Sequence, residues 1–93
     1  PEKARINEEK HRVTFPDAAS CWYDPYKIMR EDEPHSWDET RIQLVGFSRR
    51  VELLLVCHAY REESGAIRII SARKATTQEV HFYEIGGFPS ERR

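Results

Sequence analysis

Cysteine is scarce in this chain: Cys21 and Cys57 are its only two, and they lie far apart. They have neither mutual spacing nor a histidine neighbour suited to a metal knuckle, which argues against a disulfide scaffold and a zinc finger. They read instead as two reduced, partly buried thiols of a cytoplasmic protein. No run approaches the roughly 18 apolar residues of a membrane-spanning helix. The opening Pro1-Glu2-Lys3-Ala4 carries no apolar signal segment, and without an initiator Met the numbering is expected to begin inside a longer chain. The four histidines are scattered, without HxxxH or HExxH spacing, so neither a metal nor a cofactor is expected. There is no excess of positive charge: 15 Lys and Arg against 16 Asp and Glu give a net charge of −1. A surface facing nucleic acid must therefore be a local patch offset by acids elsewhere.

What remains is a composition suited to one small soluble domain, read as residues 1–93 with a flexible tail over 86–93. Residues 1–11 read as a polar helix. Thr14-Phe15-Pro16-Asp17 reads as a capped helix start, with the helix running to about Trp22 and ending at Asp24-Pro25. Residues 26–30 form a possible edge strand, and Arg41-Ile42-Gln43-Leu44-Val45 alternates with period two. Strong strand patterns follow at 51–60 and 66–73. Thr76-Thr77-Gln78-Glu79 is a capping-box match that opens a last helix, which Gly86 stops. The expected fold is α+β: a small antiparallel sheet of about four strands, two N-terminal helices and one C-terminal helix, with the helices against one face.

The last two strands contain His58, Arg68 and Arg73 among residues that otherwise read as core. A buried cation is costly unless something negative meets it, and phosphate is a natural guest. If Arg49-Arg50 is a two-residue turn and 61–65 the next turn, Arg41 faces His58, and His58 faces Arg68. That register aligns the three in one row across three strands. Arg73 then falls on the opposite, core face unless the strand bends. The competing reading is a salt-bridged row covered by Glu31, Asp32 or Glu39.

These residues also carry a family resemblance that runs nearly end to end. The pieces are Asn7-x-x-Lys10-His11, Val13-x-Phe15-x-x-Ala18, Asp24-Pro25, His35-Ser36-Trp37-x-Glu39-x-Arg41 and Gly46. The most specific is Ile67-Arg68-Ile69-Ile70-Ser71-Ala72-Arg73-x-Ala75-Thr76-x-x-Glu79, with Tyr83 beyond it. The chain resembles the BrnT family, toxins of bacterial type II toxin–antitoxin systems with a RelE-like fold. Arg12 stands where that family usually has glycine.

The resemblance implies a cytoplasmic bacterial ribonuclease that cleaves RNA without a metal and arrests growth. It implies a BrnA-like antitoxin with a ribbon-helix-helix part, contact with DNA only through that antitoxin, and a heterotetramer containing a toxin dimer. Metal-free cleavage needs a base, an acid and a stabiliser of phosphorane charge. Arg68 and Arg41 are then expected to hold the phosphate, with Arg73 helping at the sheet end and His58 as acid or base. Tyr83 is expected to contact a base or supply a proton, and Lys10, His11 and Glu39 are second-rank candidates. Glu79 reads first as a capping residue, and Trp22 and Trp37 as packing residues. Two other classes compete: a non-catalytic binding module that keeps the antitoxin interface, and a metal-dependent hydrolase.

Overall fold

The computed structural model describes residues 1–33, 39–61 and 63–89. His35, Ser36 and Trp37 of the family motif and the tail residues 90–93 lie outside the described residues. The elements run α1 (Glu2–His11), α2 (Phe15–Ser20) with a 3-10 turn at Cys21–Tyr23, β1 (Ile28–Glu31), β2 (Thr40–Phe47), β3 (Leu53–Arg61), β4 (Ala66–Lys74) and α3 (Thr77–Ile85). The four strands form one antiparallel sheet in sequence order. The α+β expectation holds. So do both predicted helix starts: Thr14 accepts from the Asp17 N–H, and Thr76 with Glu79 forms a complete capping box.

The helices do not share a face. Val13, Ala18 and Cys21 from the N-terminal helical region pack on Leu44, Leu54, Val56 and Ala72. Phe82 and Tyr83 of α3 pack on Ile28, Val45 and Leu55, which alternation places on the opposite side. The sheet is thus covered on both faces, which accounts for the uninterrupted apolar run Leu53–Val56. Phe88, read from sequence as part of the tail, also packs on Phe82, and the Arg30 guanidinium lies 4.4 Å from its ring centre.

The register differs from expectation in both hairpins. Between β2 and β3, the Val51 N–H bonds to Ser48 O, and the Ser48 N–H bonds to Glu52 O. Arg49-Arg50 is the heart of a turn that takes a third residue, Val51, at φ 61°. Ile42, not Arg41, therefore faces His58. Between β3 and β4, His58 faces Ile69 and Ala59 faces Arg68, and a bulge between Cys57 and His58 then shifts the ladder to pair Cys57 with Ser71.

Among the described residues, two that are not glycine occupy left-handed backbone: Val51, and Arg12 at the C-terminal cap of α1 (φ 61°, ψ 31°). The second is the position where the resembled family usually has glycine, and the geometry gives the reason. Arg12→Gly is expected to raise unfolding stability by about 1 kcal/mol, and Val51→Gly by somewhat more because a β-branched residue is worse there. Urea denaturation measures both. Gly46 has a different cause: a Cβ there would sit 3.2 Å from both Cys21 O and Lys27 Cβ. Its bare backbone lets the Cys21–Lys27 segment close onto β2.

Candidate functional site

The corrected register divides the predicted site residues between two faces. Arg41, Ala59 and Arg68 form one row on the face that α3 partly covers. Gln43, Cys57 and Ser71 form the next row, then Val45, Leu55 and Arg73. Arg68 and Arg73 are five residues apart, which in a regular strand would put them on opposite faces. The bulge absorbs one residue of β4, so Arg73 joins the face of Arg68 and Arg41. Three of the predicted arginines thus share a surface.

His58 does not, and the predicted Arg41–His58–Arg68 row fails. Its row is Ile42, His58 and Ile69, on the side packed by α1 and α2. It is only 2% exposed, and Trp22 meets it edge-on at 4.7 Å between ring centres. Burial pushes its pKa below the usual histidine value, against a smaller opposing effect of the Val56 backbone, and Nδ1 makes no hydrogen bond among the described residues. It is a neutral core residue that cannot reach a phosphate on the arginine face.

A depressed histidine pKa means that the unfolded chain takes up the proton more readily. Stability is therefore full above the unfolded value of about 6.5 and falls as pH drops through it. The melting temperature is expected to fall as pH is lowered below about 6.5, and His58→Leu is expected to remove that fall. Carboxylates contribute in a lower window. Burial alone would raise Glu79, but its bonds with Arg73 and the Thr76 N–H outweigh this and hold it below the ordinary value. Asp24 is held down in the same way, burial being outweighed by bonds from the Phe47 N–H, the Tyr83 hydroxyl and the Tyr26 N–H.

The arginines have acidic neighbours. Glu39 contacts the Arg68 guanidinium and lies 3.5 Å from Arg61 Nε. Glu39 thus covers the row, as the salt-bridged reading anticipated. The Arg68 side chain is nonetheless 46% exposed and open to a larger anion. Arg73 makes a two-pronged pair with Glu79, at 2.9 and 3.0 Å, which ties β4 to the first turn of α3. Glu79 is therefore both a cap and an anchor for Arg73.

Tyr83 lies toward the far end of the same face. Its ring meets Phe47 edge-on at 5.4 Å, and its hydroxyl donates to Asp24 Oδ2 at 2.6 Å. Burial, then its hydrogen bond to Asp24 and the charge of that carboxylate, push its pKa up to about 12, so the hydroxyl keeps its proton and donates it to Asp24 in a hydrogen bond. Lys10 and His11 end α1, which packs on β4 from the His58 side, and the geometry does not bring them to the arginine row. Arg61 and Ser71 were missed from sequence. Arg61 shares the parity of Ala59, and Ser71 becomes visible once the bulge is known.

A small α+β domain with guanidinium groups aligned on one sheet face has the chemistry of an anion-binding surface. The family model for the ribonuclease toxin BrnT of type II toxin–antitoxin systems matches residues 1–79. The chain belongs to that family, so its class is ribonuclease toxin and an antitoxin is its counterpart. No curated protein matches it. No described helix is long and apolar enough to cross a membrane.

Proposed function

We propose that this toxin cleaves RNA without a metal, on the sheet face that carries Arg41 and Arg68. The observation that supports this most is their common row across Ala59, with the Arg68 guanidinium half exposed. In the proposed reaction the RNA 2′-oxygen loses its proton and attacks the adjacent phosphorus. The bond to the 5′-oxygen breaks, leaving a 2′,3′-cyclic phosphate and a 5′-hydroxyl that takes its proton from water. Arg68 and Arg41 offset the charge that builds on the phosphorane oxygens, a task for which fixed guanidinium groups suit. Glu39, released from Arg68 by the incoming phosphate, is the carboxylate next to the reacting group and takes the 2′-proton. Arg73, held by Glu79, adds positive potential further along the face.

The reading extends to cytoplasmic growth arrest and to neutralisation by a BrnA-like antitoxin with a ribbon-helix-helix part in a two-plus-two complex, with DNA bound only through that antitoxin. A second reading, a binding module without catalysis, has its own support. Glu39 and Glu79 already neutralise Arg68, Arg61 and Arg73, and the whole chain has a net charge of −1. Incubating antitoxin-free protein with RNA and a chelator separates them. Cleavage is expected to persist in chelator. Cleavage abolished by chelator contradicts the metal-independent mechanism, and no cleavage by folded protein supports the binding module.

A further inference from the structure

Asp24 organises a second surface that the arginine row does not use. Its N–H bonds to Cys21 O at 3.1 Å, and its carbonyl accepts from the Lys27 N–H at 3.2 Å. Its Oδ1 accepts from the Tyr26 N–H at 2.9 Å, while Oδ2 accepts from the Phe47 N–H at 2.8 Å and from the Tyr83 hydroxyl. One carboxylate thus fixes the corner Tyr23-Asp24-Pro25-Tyr26 to both β2 and α3. Yet the corner presents its aromatics outward: Tyr23 is 89% exposed, Tyr26 75% and Phe47 40%. The backbone of the corner is fixed while its rings stand in solvent, and a tyrosine, with only two side-chain torsions, loses little entropy when it binds.

Three cations, Lys27, Arg49 and Arg50, stand close to this corner. The tip of the β2–β3 hairpin is fastened beside it by the Arg49 N–H to Ser20 Oγ (2.8 Å) and by Arg49 Nε to Asp17 (2.7 Å). That places Arg49 with Tyr23 and Phe47 around a depression of about 310 Å³, and Lys27 lines the neighbouring one with Tyr26 and Tyr83. Arg50 is exposed at the same tip. Of the nearby acids, Asp24 is engaged by three donors and Asp17 by Arg49, while the exposed Glu84 lines the depression of Lys27. Exposed aromatics interleaved with cations suit single-stranded nucleic acid, whose bases stack while its phosphates meet the charges. Phe47 also belongs to the sheet face of Arg41, three side-chain rows along β2, or about 20 Å at the usual strand rise. That span corresponds to a few nucleotides of extended strand.

We propose that Tyr23 and Tyr26, with Phe47, form a base-stacking platform for single-stranded RNA, separate from the cleavage row and engaging nucleotides a short way along the substrate. This rests on the ribonuclease reading for its ligand but is tested apart from cleavage. The probe is a labelled 2′-O-methyl RNA oligonucleotide, which lacks the attacking hydroxyl, titrated by fluorescence anisotropy. Tyr23→Ala and Tyr26→Ala are each expected to weaken binding about five- to 100-fold, the usual range for one lost base stack. Tyr23→Phe and Tyr26→Phe, which keep the ring, are expected to stay within about twofold of the parent.

The platform is overturned if the alanine variants bind the oligonucleotide as the parent does, or if phenylalanine weakens binding as much as alanine. It is also overturned if the alanine variants lose antitoxin binding while RNA binding is untouched, which would assign the corner to a protein partner. If the parent binds the oligonucleotide through the tyrosines but does not cleave natural RNA, the cleavage reading fails and the platform stands. If the parent cleaves, Arg68→Ala stops cleavage and the tyrosine variants bind normally, the platform fails and the cleavage reading stands.

Discussion

Replacing Arg68 by alanine is expected to lower the RNA cleavage rate by about two to three orders of magnitude, the usual effect of removing one preorganised donor to developing charge. The loss belongs to the chemistry rather than to folding. Arg68 and Arg61 share Glu39 at a partly solvated site, and such pairs contribute at most about 1 kcal/mol to stability. The variant should therefore unfold close to the parent's urea midpoint. Arg68→Lys keeps the charge but not the two-pronged grip, so it is expected to fall between parent and alanine. Glu39→Gln separates that residue's two effects. Freed from the carboxylate, Arg68 and Arg61 should bind a non-cleavable oligonucleotide more tightly, while single-turnover cleavage slows because the base is gone.

Asn7→Ala is expected to cause the largest loss of stability. The Asn7 side chain is buried within α1. Its amide donates to Val13 O and Ala72 O, both at 2.9 Å, and its oxygen accepts from the Ala72 N–H at 3.0 Å. Among the described strands β4 lies at the sheet edge, so the Asn7 amide meets Ala72 where a fifth strand would. Alanine would leave three buried backbone groups without this partner, at about 1 kcal/mol or more each, and about 3 kcal/mol together. For a domain of this size that lowers the melting temperature by more than about 10 °C. Asn7→Asp is expected to be no milder, since a carboxylate cannot donate to the two carbonyls. Thermal melts followed by circular dichroism measure both variants.

Asn7 shows where sequence reading ran short. It was visible as part of a family string, but its partner Ala72 lies on the last strand, and nothing local announces that contact. The elements themselves were legible because their signals are local: the Thr76 and Glu79 capping box, the Thr14 cap, and alternation in Arg41–Val45. The two-sided sheet was also written in the chain, in the run Leu53–Val56, which strict alternation misread as one buried face and one open face. Register was less accessible. Val51 is a β-branched residue in left-handed backbone, which sequence preference argues against, and it lengthened the first turn by one residue. The second hairpin is displaced by one residue in the compensating sense, so Arg41 and Arg68 stay in one row while His58, between them, moves to the other face. The bulge that returns Arg73 to the site leaves no mark in composition.

The account turns on the face that does the chemistry, and one cleavage assay in chelator tests it. The parent, Arg68→Ala and His58→Leu are compared on the same single-stranded RNA, at a temperature where melts show all three folded. The expected result is cleavage by the parent and by His58→Leu at similar rates, with Arg68→Ala slower by about two to three orders of magnitude. Loss of cleavage in folded His58→Leu, with Arg68→Ala unaffected, would place the chemistry on the opposite face and contradict the account.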